Sequence, residues 1–261
     1  MEEIIKAVIL GVVQGFTEFL PVSSSGHLLL FRKLFGLAEA GLLLDTMLHL
    51  GTLAAVVAVF WRDLVAMIKK PFSHLTLLVV VGTIPTGLIG VFFKDSFEEL
   101  ARTGIILGWS FLATGVILWL ADYIKERGLK DIPNVSFKDS LIVGTLQGIA
   151  IIPGISRSGL TIAGSLFQGI DRKAAARFSF LLSLPAILGA VVVQSADLFQ
   201  GNIEGMSLTA LVIGTLVAAI CGYIAVRWML EIIQNKSLKG FSIYLWIVGS
   251  GVLLAQLMGW F

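Results

Sequence analysis

Six long apolar runs constrain this chain more than any other feature of its 261 residues. They lie at roughly 42–60, 74–93, 104–121, 178–196, 207–226 and 242–261. Each is about 18 to 20 residues long, the length of helix that crosses about 30 Å of hydrocarbon. Backbone polar groups at that depth must be satisfied within their own segment, and 57% of the residues are hydrophobic against 14% charged, so the reading is an all-α polytopic membrane protein. The first apolar stretch follows Glu2, Glu3 and Lys6 and has no small-residue cleavage site, so it is read as mature structure and not as a removable signal peptide. A net charge of +2 and the lack of a basic patch interleaved with aromatics exclude a nucleic-acid partner. Cys221, in an apolar span, reads as a small buried residue, and Trp61, Trp119, Trp246 and Trp260 read as interfacial anchors near span ends.

Two shorter, polar-tipped pairs of segments stand apart from the six runs. In the first, Glu18-Phe-Leu-Pro21-Val-Ser23-Ser24-Ser25-Gly26-His27 links stretches at about 4–20 and 25–35. Pro21 ends the first stretch and the serines can cap the second. The other pair spans 136–168 and holds Pro153-Gly154-Ile-Ser156-Arg157-Ser158-Gly159-Leu-Thr161. Gly11, Gln14, Gly15, Ser23, Ser25 and Gly26 fall on Gly144, Gln147, Gly148, Ser156, Ser158 and Gly159 at an offset of about 133. Leu75 and Thr76 fall on Leu208 and Thr209, and Gly82 and Thr83 fall on Gly214 and Thr215 with one residue of slip. The chain is therefore read as one membrane domain over 1–261, duplicated: repeat one at 1–122, a linker at 123–135 and repeat two at 136–261.

Each half is expected to be a re-entrant helix hairpin followed by three transmembrane helices, which makes the second repeat inverted relative to the first. The second helix of each hairpin has only about ten to twelve apolar residues, too short to cross alone. With re-entrant hairpins, Lys6, Arg32, Lys33, Lys94 and Arg102 share one side, whereas 13 other lysines and arginines, from Arg62 through Lys125, Arg127 and Lys130 to Lys239, share the other. The positive-inside rule then puts both termini outside the cytoplasm. The two polar loops dip in from opposite faces and are expected to meet near mid-depth in a watered cavity.

In that cavity Arg157 is costly unless it pairs, and its fork matches phosphate oxygens. Ser156, Ser158 and Gly159 add hydroxyls and open backbone to a phosphate cradle. Gln14 and Glu18, four apart, share a helix face and could hold a hard divalent cation, Mg2+ or Ca2+, with substrate phosphates completing its shell. His27 reads as nucleophile, as base for Ser24, or as a neutral group orienting a water. A serine nucleophile is expected to find no activating partner in this loop other than His27. Asp45 and His49 read as an interfacial pair, and the charge run Lys125 to Lys138 as solvated.

The motif Gln14-x-x-x-Glu18-Phe-Leu-Pro21-Val-Ser23-Ser24-Ser25-Gly26-His27 resembles the first signature of the bacterial undecaprenyl-diphosphate phosphatase family, of the bacitracin-resistance type. Pro153-Gly154-Ile-Ser156-Arg157-Ser158-Gly159-Leu-Thr161 is similar to its second, and the likeness runs through essentially the whole chain. The resemblance implies a polyprenyl diphosphate lipid as substrate, hydrolysed at the outer face of the plasma membrane to recycle the carrier of cell-wall synthesis. It implies Glu18 in metal or proton handling, Ser24 and His27 at the attacked phosphorus, and Arg157 on the diphosphate. Ser23, Ser25, Gly26, Gly154, Ser156, Ser158 and Thr161 are the remaining expected phosphate contacts. The family's acidic motif carries glutamate or glutamine at its first position; here Gln14 leaves one carboxylate for a metal. A homodimer is compatible with the sequence. The competing class is an inverted-repeat transporter or flippase of a polyprenyl phosphate lipid, which needs no nucleophile and base in one loop.

Overall fold

A computed structural model describes residues 1–36, 41–123, 130–200 and 207–259. Residues 124–129 of the linker, Lys125 and Arg127 among them, and Trp260 lie outside the described residues. Twelve α-helices follow one another among the rest: α1 (Glu2–Phe19), α2 (Ser24–Phe35), α3 (Gly41–Val59), α4 (Trp61–Lys69), α5 (His74–Phe92), α6 (Lys94–Thr103), α7 (Leu107–Tyr123), α8 (Phe137–Ile149), α9 (Arg157–Phe167), α10 (Arg172–Gln200), α11 (Leu208–Asn235) and α12 (Lys239–Leu257). No strand occurs among the described residues beyond an isolated Lys130–Ile170 bridge.

Four helices, α5, α10 through Gln194, α11 and α12, are long and apolar enough to cross a membrane unaided. α3 runs into α4 through a 78° bend and α6 into α7 through a 108° bend, which makes up to six candidate spans if each bent pair is counted as one. The short helices α4 and α6 were not expected. Charged residues such as Asp63 and Lys69, or Asp95, Glu98, Glu99 and Arg102, keep these segments out of hydrocarbon, so the chain turns sideways there. The second-half spans α10 and α11 are longer than their apolar runs, at 29 and 28 residues. Ile84, Leu88, Ile220, Ile224 and Ile247 are exposed on α5, α11 and α12, a face that hydrocarbon and not water suits.

Packing pairs the two halves of the chain. α1 and α3 lie on α11, α8 and α10 lie on α5, α3 meets α10, and α7 meets α12. Exchanging each element for its counterpart at the sequence offset leaves these pairs unchanged, whereas α9 also packs substantially on α7 and α10, and α2 makes no equally substantial contact with α12 or α3. Glycines make the closest approaches: a Cβ at Gly11 would sit 2.6 Å from the Gly214 carbonyl oxygen, and one at Gly144 only 1.9 Å from that of Gly82. These four glycines are two pairs from the duplicated register, and they let helix backbones touch without a hydrophobic driving force between them.

The rings of Trp119 and Trp246 lie 5.2 Å apart, tilted by 35°, and Trp246 Nε1 donates to the Leu112 carbonyl, so both pack at the junction of α7 and α12. Lys130 is not merely solvated, because its ammonium sits 2.9 Å from Asp139, whose carboxylate also closes the capping box of α8 with Ser136. Cys221 is half-buried, its Cβ facing Gly15.

Candidate active site

The first hairpin turns where the sequence requires it. Pro21 forces Leu20 into an extended conformation, φ −69° and ψ 143°, and α1 stops at Phe19. Ser23 then takes φ 72°, the positive φ of a non-glycine residue, and its Oγ accepts from the Gly26 N–H to cap α2. The second hairpin repeats the device, with Ser156 Oγ accepting from the Gly159 N–H at 3.1 Å to cap α9. Ser23 and Ser156 accept these caps on their hydroxyl oxygens, and each hydroxyl keeps its own proton to donate. Ser25 and Ser158 lie beside them, at 3.3 and 3.2 Å, with Ser25 exposed.

The two loops meet. A Cβ on Gly26 would come within 3.0 Å of the Gly154 Cα, and Gly154 itself adopts φ 87°, which glycine alone takes at no cost. Ser158 Oγ donates to the Leu20 carbonyl across the junction at 3.1 Å. At the centre lies Glu18, 5% exposed. One of its oxygens takes a charge-assisted bond from Arg157 Nη2; the other accepts from Gln14 Nε2 at 3.0 Å and from the Ser24 hydroxyl. Ser24 and Arg157 are the first residues of α2 and α9, so the N-termini of both short helices adjoin at this carboxylate. A narrow crevice beside it is lined by Glu18, Arg157, Ser158, Thr161, Ser179 and Ser183.

Several atoms there have no partner. Arg157 Nη1 and Gln14 Oε1 are buried and unbonded, one a donor suited to a phosphate oxygen and the other an acceptor suited to a cation. His49, read from sequence as part of an interfacial pair, instead brings Nε2 to 3.9 Å from Glu18. Its neighbour Asp45 pairs with Arg32 at 3.0 Å and accepts His49 Nδ1–H on its carbonyl, so α3 backs the site from a third side. Thr161 turns into α10, where it bonds Ser179 at 2.6 Å.

His27 does not join Ser24. Its Nδ1 lies 2.7 Å from the Ser23 carbonyl and its Nε2 2.7 Å from the Tyr244 hydroxyl, while Ser24 is taken by Glu18. The serine thus has an activating partner other than His27, six residues upstream, because the α1–α2 turn folds back on itself. Sequence reasoning missed Tyr244 and Ser179. Both sit inside spans, where a hydroxyl at helical spacing carries no local mark.

A buried glutamate shared by a serine and an arginine from two opposed helix tips, in an all-helical chain with several helices long and apolar enough to cross a membrane, marks a multi-pass membrane protein. The family model described as bacitracin resistance protein BacA matches residues 7–251, and the chain belongs to that family. The chain is 52% identical over 252 residues to the undecaprenyl-diphosphatase 3 of Bacillus cereus (strain ATCC 14579), covering 97% of each chain. It is 50% identical over 258 residues to the undecaprenyl-diphosphatase of Carboxydothermus hydrogenoformans, covering 98% of each. It is 44% identical over 254 residues to that of Halothermothrix orenii, covering 97% of this chain and 98% of the relative.

Proposed function

We propose that this chain hydrolyses undecaprenyl diphosphate to undecaprenyl phosphate and inorganic phosphate, recycling the lipid carrier of cell-wall synthesis in the bacterial plasma membrane. The family and the names of relatives over nearly the whole length support the activity. The observation that carries the assignment to this site is the Glu18 carboxylate, held by Ser24 from one hairpin and Arg157 from the other.

The hairpins are read as re-entrant and the halves as inverted repeats. α2 and α9 have 12 and 11 residues, so they reach only about 18 and 17 Å. The contact pattern that survives exchange of the halves, the paired glycines, and the bias of lysine and arginine to one side support this reading. The first hairpin then opens the site to the extracytoplasmic side.

In this reading Ser24 Oγ attacks the terminal phosphorus and its proton passes to Glu18. The bridging P–O bond breaks, and its oxygen leaves with the prenyl phosphate. Arg157, already bound to Glu18 through Nη2, turns its free Nη1 to the phosphoryl oxygens, where charge spreads in the transition state. Backbone N–H groups at the start of α2 and α9 add to that field. A water then cleaves the Ser24–phosphate ester, giving its proton to His27 Nε2 while Glu18 returns the first proton to the departing Ser24 oxygen, and inorganic phosphate is released. Among the described residues no three acidic, histidine or cysteine side chains form a metal cluster. The fit to a divalent cation is through oxygen: Gln14 Oε1 is buried and unbonded beside Glu18, so these two would hold the ion together with substrate phosphates. Bound there, a cation supplies charge neutralisation at the diphosphate.

Phosphate release from undecaprenyl diphosphate by the protein in detergent, where transport cannot be scored, separates this reading from a transporter. Quenching during turnover should trap acid-stable phosphate on Ser24, and Ser24→Ala should abolish release. Acid-labile, alkali-stable phosphate would move the attack to His27, and lipid translocation in vesicles without phosphate release would favour the transporter.

A further inference from the structure

His27 is 3% exposed and is gripped on three sides. Its Nδ1 sits 2.7 Å from the Ser23 carbonyl, an atom that only accepts, so Nδ1 carries the ring proton and Nε2 the lone pair. Tyr244 of α12 donates its hydroxyl to that lone pair at 2.7 Å and stacks its ring on the imidazole at 5.7 Å with an 8° interplanar angle. Phe111 of α7 closes the remaining side edge-on at 5.2 Å. The other tautomer would set a lone pair on Nδ1 against the Ser23 carbonyl, whereas the Tyr244 hydroxyl, which both donates and accepts, could meet either form of Nε2. The backbone carbonyl therefore selects the tautomer, and the phenol holds the nitrogen that is left basic.

The two aromatic neighbours differ in freedom. Phe111 is fully buried, whereas Tyr244 is 42% exposed on the outer side of α12. Its ring can swing toward the lipid without opening the core, and doing so uncovers Nε2. We propose that Tyr244 is a positioning residue for the hydrolysis: its hydroxyl holds the lone pair of His27 Nε2, fixes the ring so that this nitrogen is the one that takes up the water's proton, and yields it when the phosphoryl group is in place. Ser23 contributes from the other end, since its positive φ is part of the turn that brings its carbonyl under the ring.

The proposal rests on His27 being the base of the phosphatase reaction, and its test separates the two. Tyr244→Phe keeps the stacked ring and removes only the hydroxyl. In the full-length protein in detergent, kcat for phosphate release should fall at least tenfold with KM within twofold, because the hydroxyl positions the base and does not hold the substrate. Ring nitrogen-15 spectra of histidine-labelled protein provide a readout without turnover. The chain has three histidines, and His27→Gln identifies the signal of interest. Wild type should give a single Nδ1–H tautomer for His27 with a hydrogen-bonded Nε2, and Tyr244→Phe the same tautomer with the Nε2 signal shifted by loss of that bond; an unshifted signal would overturn the proposal. An Nε2–H tautomer in wild type would overturn the proposal even if the variant proved unstable. So would wild-type kcat in Tyr244→Phe, or a rise in KM alone, which would make Tyr244 a substrate contact. A wild-type protein that releases no phosphate would sink the phosphatase reading while the spectra still report the tautomer.

Discussion

Replacing Arg157 by lysine keeps a positive charge beside Glu18 but leaves one nitrogen where the guanidinium has two ends. Nη2 already bonds Glu18, and Nη1 is buried without a partner, so the arginine can neutralise the glutamate and grip a phosphoryl oxygen at once. A lysine must choose between them. Losing one hydrogen bond to a charged group costs about 1.5–3 kcal/mol, or roughly 10- to 150-fold in kcat/KM. Alanine would be the poorer probe, because it strands a 5% exposed carboxylate without a cation, and an unpaired buried charge costs about 3–5 kcal/mol of stability. The assay is phosphate release from undecaprenyl diphosphate in detergent, with thermal unfolding of the same preparation as a control. Arg157→Lys with kcat/KM within threefold of wild type and an unchanged melting point would refute the reasoning, leaving Arg157 as a counter-ion to Glu18 alone.

Helix contacts and topology give two further tests. Gly144→Ala places a methyl where the Gly82 carbonyl stands and should cost about 1–3 kcal/mol, whereas Gly87→Ala on α5, with nothing within 4 Å of its Cβ, should be neutral or stabilise by about 0.5–1 kcal/mol; thermal unfolding in detergent in the reverse order would contradict the packing. In a Cys221→Ala background, Asp95→Cys should react with an impermeant reagent from outside the cell and Lys236→Cys only from the cytoplasm. Labelling of both from one face would sink the inverted-repeat reading.

The spans and the two hairpins were legible because hydrocarbon imposes length and apolarity, and because Pro21, Ser23 and Ser156 carry their turn chemistry locally. What escaped was set by partners distant in sequence. Tyr244 reaches His27 across 217 positions, and Arg157 reaches Glu18 across 139. His49 and Asp45 looked interfacial because their run begins near a span end, yet the packing of α3 beside α1 brings His49 to Glu18. The bends before α7 and after α3 escaped as well, since an amphipathic turn of helix beside a long apolar run reads as an extension of it.

Set against the register of about 133 residues, the site divides its labour between two copies of one device. Ser23 and Ser156 make the same cap, and the positions just after them hold Ser24 and Arg157, both bonded to Glu18. Where the first hairpin has Glu18 and His27, the second has Ile151 and Leu160. A faithful duplicate would oppose two carboxylates and two imidazoles across the junction, repelling each other and offering no cation to a diphosphate. Placing the arginine in one copy and the acid in the other lets each charge be buried against its opposite. The free Nη1 and the Ser24 hydroxyl then flank the same carboxylate from opposite tips, and under the proposed mechanism a phosphoryl group would lie between them. A transporter alternating between two faces gains nothing from that asymmetry, whereas a displacement at phosphorus, with an attacking side and a charge-stabilising side, requires it.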